Sequence, residues 1–262
     1  EPGGTVSINY TSDTPIAGFQ FNVTGVTVTG ASGGIGGETA KRLAARGVAV
    51  AVHYHSNAKA AEALVSEIKD AGGNAIIVGG DAGREDDAKR IVQETVDAFG
   101  GLNILVNNAG ISTPIDFGAM VDENVDRELS ANVKSVIYAT QAAAPFLENG
   151  GRVVNVSSNL AYQPIPGMTL YCAAKAAVSC LTHGFAKELG SKGISVNAVA
   201  PGATKTQMTA WIPDEMIQGI ADGTPLGRVA MPDDIADIIV FLASPESRWV
   251  NGRTVLADGG LL

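Results

Sequence analysis

The sequence predicts an α/β fold in which βαβ units repeat around a parallel sheet, and three observations predict it. From Val26 onward short apolar runs alternate with amphipathic helical stretches. The first run passes into a glycine-rich turn, Thr29-Gly-Ala-Ser-Gly-Gly-Ile-Gly36, that opens a helical pattern. Short polar and small residues follow the third and fourth runs, Asp81-Ala82 and Asn107-Asn-Ala-Gly110, at strand ends where an open parallel sheet binds its ligand.

A chain of 262 residues, 45% hydrophobic and 17% charged, is long enough for one large domain, placed here at residues 26–262. A net charge of -9 argues against nucleic acid or an anionic membrane as the main partner. No run of 18 apolar residues suggests a membrane span. Glu1-Pro-Gly-Gly-Thr5 lacks the basic and apolar segments of a signal peptide, which makes a cytoplasmic location the expectation. Cys172 and Cys180 fall on one predicted helix, about 12 Å apart at ~1.5 Å rise per residue, too far for a disulfide. They are expected as free thiols. With only His53, His55 and His183 and no Cys/His cluster, no metal site is expected.

Residues 1–25 form an N-terminal extension in which Val6, Ile8 and Tyr10, then Phe19, Phe21 and Val23, alternate with polar residues around Thr11-Ser-Asp-Thr-Pro15. That pattern predicts a β-hairpin arm or a fusion remnant. Strands follow at Val26–Thr29, Val48–Tyr54, Ala75–Gly79, Leu102–Asn107, Arg152–Ser157, Ile194–Ala200 and Thr254–Ala257. Helices are expected near 35–46, 58–71, 85–99, 122–147, 170–190 and 233–243.

In the turn, Gly30, Ser32, Gly34, Ile35 and Gly36 are the candidate cofactor contacts. Glycines let the backbone approach a pyrophosphate, and free amides at the helix start point at its charge. At the end of the second strand a carboxylate would bind an adenosine ribose diol and repel a 2′-phosphate. Tyr54, His55, Ser56 and Asn57 stand there instead, with no acid, so NADP(H) is favoured and NAD(H) remains possible. Asp81, Ala82, Asn108, Ala109 and Gly110 complete the predicted cofactor rim. In the helix expected from Asp122, the stripe Val121, Val125, Leu129, Val133, Val136, Ile137 and Leu147 is read as buried. Asn132 faces the same side, either as a buried amide holding water or a backbone group, or as a solvated residue at the stripe edge.

Tyr171-Cys-Ala-Ala-Lys175 sets a phenol and an ammonium on one face of an alanine-rich helix. Bringing a tyrosine from a pKa of roughly 10 to about 7 needs ~4 kcal/mol, much of which a nearby cation in a dry cleft can supply. The pair then serves as a general acid/base.

Taken in order, Thr29-Gly-x3-Gly-x-Gly36, Asp81, Asn107-Asn-Ala-Gly110, Asn132, Ser158, Tyr171-x3-Lys175 and Pro201-Gly202 resemble the short-chain dehydrogenase/reductase family from residue 26 to 262. The resemblance implies a doubly wound Rossmann-type sheet of about seven strands with helices on both faces. It implies a tetrad of Asn132, Ser158, Tyr171 and Lys175, in which Tyr171 protonates the developing alkoxide, Ser158 holds the oxygen, Lys175 binds the nicotinamide ribose and Asn132 positions a water. Pro201, Gly202, Thr204 and Thr206 are implied at the nicotinamide end. The implied activity is hydride transfer between a nicotinamide cofactor and a small-molecule ketone or secondary alcohol, closest to 3-oxoacyl-thioester or small-ketone reductases, with a sugar dehydrogenase as the alternative. A non-catalytic nucleotide-binding regulator is the reading from another class. Dimers or tetramers through the helices carrying Ala142–Ala144 and Ala173–Ala177 are implied as well. Two features depart from the pattern: the long lead of residues 1–25, and a first strand, Gly25-Val-Thr-Val-Thr29, with more polar residues than usual, which predicts weakened cofactor binding if that strand is disturbed.

The segment Thr206–Arg228, with Met208, Trp211, Ile212, Met216 and Ile217, is expected to form a lid, and Asn159–Met168 the opposite wall.

Overall fold

The computed structural model describes residues 25–31 and 33–262; the strand pair expected in residues 1–25, and Ser32, lie outside the described residues. Seven strands form one sheet in the order β3-β2-β1-β4-β5-β6-β7, every neighbouring pair parallel. They are β1 (Val26–Val28), β2 (Val50–Tyr54), β3 (Ala75–Gly79), β4 (Leu102–Asn107), β5 (Leu147–Val156), β6 (Ser195–Pro201) and β7 (Thr254–Ala257). The helices are α1 (Gly34–Ala44), α2 (Ala58–Asp70), α3 (Glu85–Phe99), α4 (Asp122–Leu129), α5 (Ser135–Ala143), α6 (Thr169–Leu189), α7 (Asp214–Gly223) and α8 (Pro232–Leu242). This is the parallel βαβ sheet that the alternation of runs predicts, in the doubly wound, Rossmann-type form that the family resemblance implies.

Side chains alternate across the sheet, so one set of strand residues builds a core on each face. Val26, Val28, Ile104, Val106 and Val154 pack with Leu43 of α1, Leu64 of α2 and Ile239 of α8. Leu105, Val153 and Val196 pack with Val92 of α3, Ala139 of α5 and Ala186 of α6. The chain leaves β1 toward β2 on one side and β4 on the other, and that reversal opens a crevice at the carboxyl ends of the central strands.

The polar residue of β1 does not disturb it. Thr27 is fully buried and donates its hydroxyl to Thr95 Oγ1 at 3.1 Å, and Thr95 in turn donates to the Ile91 carbonyl at 3.0 Å. A buried hydroxyl with its hydrogen bond made is compatible with a central strand. Within the described residues β1 pairs along its length with both neighbours, so the strand itself is not disturbed there.

The helix expected over 122–147 is instead two helices joined by a π-helical turn, Ser130–Lys134, in which the Ser135 amide bonds back to the Ser130 carbonyl. Helix α5 ends at Ala143 and Leu147 already begins β5, paired with Leu102 ahead of a register shift. The wide turn adds a residue to the helical phase, so the buried stripe drawn on one regular helix is wrong in its first half. Val121 is 58% exposed, and Glu128 and Asn132 are buried where Val125 and Leu129 were expected to lead. Single π-turns of this kind gather at functional sites.

Candidate active site

The glycine turn is held from below by a histidine. His53 of β2 is buried, and its Nδ1 accepts the Gly30 amide at 3.1 Å while the Ala31 amide bonds to the His53 carbonyl at 3.0 Å. With Nδ1 accepting, Nε2 carries the proton and donates to the Gly80 carbonyl at 2.9 Å. Burial pushes the imidazole pKa down, which keeps it neutral in this role. Sequence reading gave His53 no role in the site. The missed signal was a lone imidazole inside an otherwise apolar strand, where both ring nitrogens need partners.

Two further contacts fix the turn. Thr29 Oγ1 accepts the amides of Asn108 and Ala109 at 2.9 and 3.1 Å, and Asn108 Nδ2 donates to the Gly30 carbonyl at 3.0 Å. Gly30 sits at φ 63°, and a Cβ on Gly36 would lie 2.5 Å from Asn108 Nδ2 and 2.8 Å from the Gly30 oxygen. Glycine is required at both positions for the turn and the β4 end to approach each other. The resulting crevice is lined by Gly30, Gly34, Ile35, His55, Ser56 and Asn57 on one side, and by Asp81, Ala82, Asn108, Ala109 and Gly110 on the other. A backbone cradle of this shape, beside the start of α1, fits a dinucleotide.

Tyr54 does not join that lining. Its ring lies over Gly79, where an added Cβ would meet Cζ and the hydroxyl at 2.7 Å. The contact assigned to Tyr54 from sequence is corrected on that geometry: in a parallel strand adjacent side chains alternate, and Tyr54 packs toward β3. Asn57, also expected to contact the cofactor, caps α2 by accepting the Ala60 amide at 3.2 Å and still faces the crevice.

The crevice runs into a second cavity of about 320 Å³, the two sharing Ile35, Asn108, Gly110, Thr206 and Met208. Ser158, Tyr171, Lys175, Pro201, Gly202 and Thr204 line this cavity. Its walls are the two segments expected from sequence, Leu160, Ile165 and Met168 on one side and Met208, Trp211, Ile212 and Met216 on the other.

Within it, Lys175 is buried and donates to the Val156 carbonyl at 2.9 Å, with Nζ 5.7 Å from the centroid of the Tyr171 ring. Ser158 Oγ accepts the Leu160 amide at 3.2 Å and lines the cavity beside Tyr171. Ser157 also lines the cavity, with its hydroxyl donated to the Lys175 carbonyl at 2.9 Å. Burial pushes the Tyr171 phenol up to about 12, with the Ser158 hydrogen bond opposing and the negative charge of Glu128 adding to the rise. The expected lowering toward 7 by Lys175 is not found. The ammonium lies over the ring face, held by Val156, and desolvation dominates. Burial likewise lowers Lys175, to about 8, against the pull of Glu128.

Asn132 lies beneath the cavity, fully buried in the π-turn. Its Oδ1 accepts the Ile111 amide at 3.2 Å and its Nδ2 faces the Ile111 carbonyl at 3.0 Å. A Cβ on Gly110 would touch both Asn132 Oδ1, at 2.6 Å, and Lys175 Nζ, at 3.3 Å, so the amide and the ammonium flank one point. The buried alternative for Asn132 is the correct one. Glu128, one turn earlier, bonds to Asn132 and was missed; the four-residue spacing on one helix face was its signal. Cys172 and Cys180 are both free, as expected, Cys172 buried and Cys180 exposed.

A seven-stranded parallel sheet with a glycine cradle at its reversal point, opening into a cavity that holds a serine, a tyrosine and a lysine, defines a nicotinamide-dinucleotide oxidoreductase. Residues 30–262 match the family described as enoyl-(acyl carrier protein) reductase. A hydroxynaphthalene reductase-like protein of Metarhizium guizhouense is 40% identical over 247 residues, 89% of this chain and 92% of the relative. The 3-oxoacyl-[acyl-carrier-protein] reductase of Staphylococcus aureus is 38% identical over 236 residues, covering 89% and 96%. Among solved structures, a short chain dehydrogenase from Burkholderia cenocepacia in complex with NADP superposes with a TM-score of 0.86 at 40% identity, over 90% of this chain and 96% of that one. The chain belongs to the short-chain dehydrogenase/reductase family and is an NAD(P)-dependent oxidoreductase acting on carbonyl and alcohol groups.

Proposed function

We propose that the protein is an NADP(H)-dependent reductase of an apolar, uncharged ketone, of the 3-oxoacyl-thioester or hydroxyaryl-ketone kind, with Asn132, Ser158, Tyr171 and Lys175 as its catalytic set. The observation that carries this reading is the cavity itself. Ser158 and Tyr171 stand between walls of Leu160, Ile165, Met168, Trp211 and Met216, a surface that favours an apolar ketone over a phosphorylated sugar.

When bound, the cofactor supplies the hydride; the protein does the rest. Gly30, Gly34 and Ile35, Asp81 and Ala82, Asn108 to Gly110, and Pro201, Gly202, Thr204 and Thr206 would hold it, with Lys175 at its ribose. Ser158 holds the carbonyl oxygen, and Tyr171, which keeps its proton at neutral pH, donates it to that oxygen as charge develops. NADP(H) is supported by a crevice end lined by His55, Ser56 and Asn57 and by the NADP bound in the Burkholderia relative. Residues 26–262 act as one catalytic domain in this reading, in the cytoplasm. The subunits pair through α5 and α6, where Ala173 and Cys180 are exposed. A light-scattering mass at micromolar concentration reports the pairing.

NADPH oxidation assayed against 3-oxoacyl thioesters, cyclic and aryl ketones and aldoses tests the reading. Turnover is expected with the first three classes, lost by ~10²-fold or more in Tyr171→Phe. Turnover by Tyr171→Phe and Lys175→Ala at the parent rate overturns the catalytic assignment, and cofactor binding without turnover of any substrate favours a non-catalytic nucleotide-binding role.

A further inference from the structure

Glu128 has no place in the reaction as described, yet it is buried under the site at 1% exposure. Its Oε1 accepts from Asn132 Nδ2 at 3.0 Å, and its Oε2 has no hydrogen-bond partner among the described residues. An apolar side chain would fill such a position between α4 and α6 without the cost of a desolvated carboxyl. What distinguishes the carboxyl from that alternative is its charge, one hydrogen bond away from the Asn132 amide that flanks one point together with the Lys175 ammonium.

We propose that Glu128 is a positioning residue: an ionised, buried counter-charge, spaced by Asn132, that holds Lys175 as an ammonium and Tyr171 as a phenol. The proposal rests on the reading of Tyr171 and Lys175 given above. The groups facing Glu128 are few. Helix α6 presents Lys175 and Tyr171, α4 itself contributes Arg127, and the π-turn and the loop after β4 present the Asn132 amide and the backbone of Ile111. On balance burial raises the carboxyl pKa above its ordinary value, with Lys175, Arg127 and the Asn132 hydrogen bond opposing that rise. In return its negative charge raises both Lys175 and Tyr171. The two effects have one sign, so removing the charge moves both titrations toward acid.

The test is Glu128→Gln, which keeps an oxygen for Asn132 Nδ2 and removes the charge. Lysine ¹³Cε resonances are titrated in the cofactor-free protein, where Lys175 near 8 stands apart from the exposed lysines. The expected result is a Lys175 midpoint about one unit lower in Glu128→Gln, unmoved in Glu128→Asp. The alkaline fall of kcat for ketone reduction should shift by the same amount. Glu128→Met gives the same reading if the glutamine variant does not fold. A Lys175 midpoint unchanged in the neutral variants, or shifted equally in Glu128→Asp, overturns the proposal. The lysine titration requires no substrate, so it stands or falls separately from the ketone-reductase reading.

Discussion

His53 Nδ1 accepts the amide of Gly30 at 3.1 Å, so the residue that anchors the cofactor turn belongs to the neighbouring strand and not to the turn. Replacing it with Phe fills the space but leaves the Gly30 amide and the Gly80 carbonyl without partners in a buried region. The expected cost is about 2 to 4 kcal/mol of stability. NADPH affinity should fall at least tenfold, since the turn loses its fixed geometry. Denaturant unfolding and a fluorescence titration with NADPH measure the two effects; an unchanged dissociation constant would show that the turn holds its shape unaided.

Gly36→Ala tests the close approach from the other side. A methyl group there would lie 2.5 Å from Asn108 Nδ2 and 2.8 Å from the Gly30 carbonyl, and the second of these is backbone with little freedom to retreat. The variant should fold, because alanine suits the first turn of α1, while binding NADPH at least tenfold more weakly. Gly118→Ala is the control, since a methyl group there meets nothing within 4 Å among the described residues and Gly118 does not line the crevice.

What could be read from the sequence follows from where each signal resides. Strand and helix alternation, the glycine turn and Tyr171-x3-Lys175 are local patterns, and each maps onto its expected element. The π-turn at Ser130–Lys134 leaves no mark on propensity; its effect is a one-residue change of phase, which is why Val121 was placed inside and Glu128 was not singled out. Tyr54 was misplaced for a different reason. A strand end gives the order of residues but not which one turns toward the crevice, and packing over Gly79 decides that. The Tyr171 phenol is a third case, since sequence proximity to Lys175 cannot weigh attraction against the burial that pushes it up to about 12.

Cofactor choice is best probed at His55, which lines the crevice, rather than at Tyr54, which packs away from it. His55→Asp places a carboxylate where a 2′-phosphate would lie and offers an acceptor to a ribose diol. The ratio of kcat/KM for NADPH over NADH should drop at least tenfold, a change of about 1.4 kcal/mol in relative transition-state binding. If the parent already prefers NADH, the reading of His55, Ser56 and Asn57 is wrong.

Lys175 itself should cost the fold stability, and the pH dependence of that cost has a definite sign. Burial lowers its pKa to about 8 in the folded protein, from the 10.5 it has when exposed. Between these values the unfolded chain binds more protons than the folded one, so this group makes stability rise as pH increases from about 8 to 10.5. Below pH 8 the folded state carries a buried ammonium at a cost of up to about 3 kcal/mol. Lys175→Met combined with Glu128→Gln, which removes the buried ammonium without stranding the carboxylate, should therefore be more stable than the parent at pH 7 and inactive. Its advantage should shrink as pH rises through that window, because the parent then sheds its proton too. Above pH 10 the Tyr171 phenol, raised to about 12, acts in the opposite sense and stability falls in both proteins as the unfolded chain ionises first. Urea unfolding of parent and variant at pH 7, 8.5 and 10 reads the difference directly. An advantage that stays constant across the three would mean that Lys175 is not titrating in the folded state.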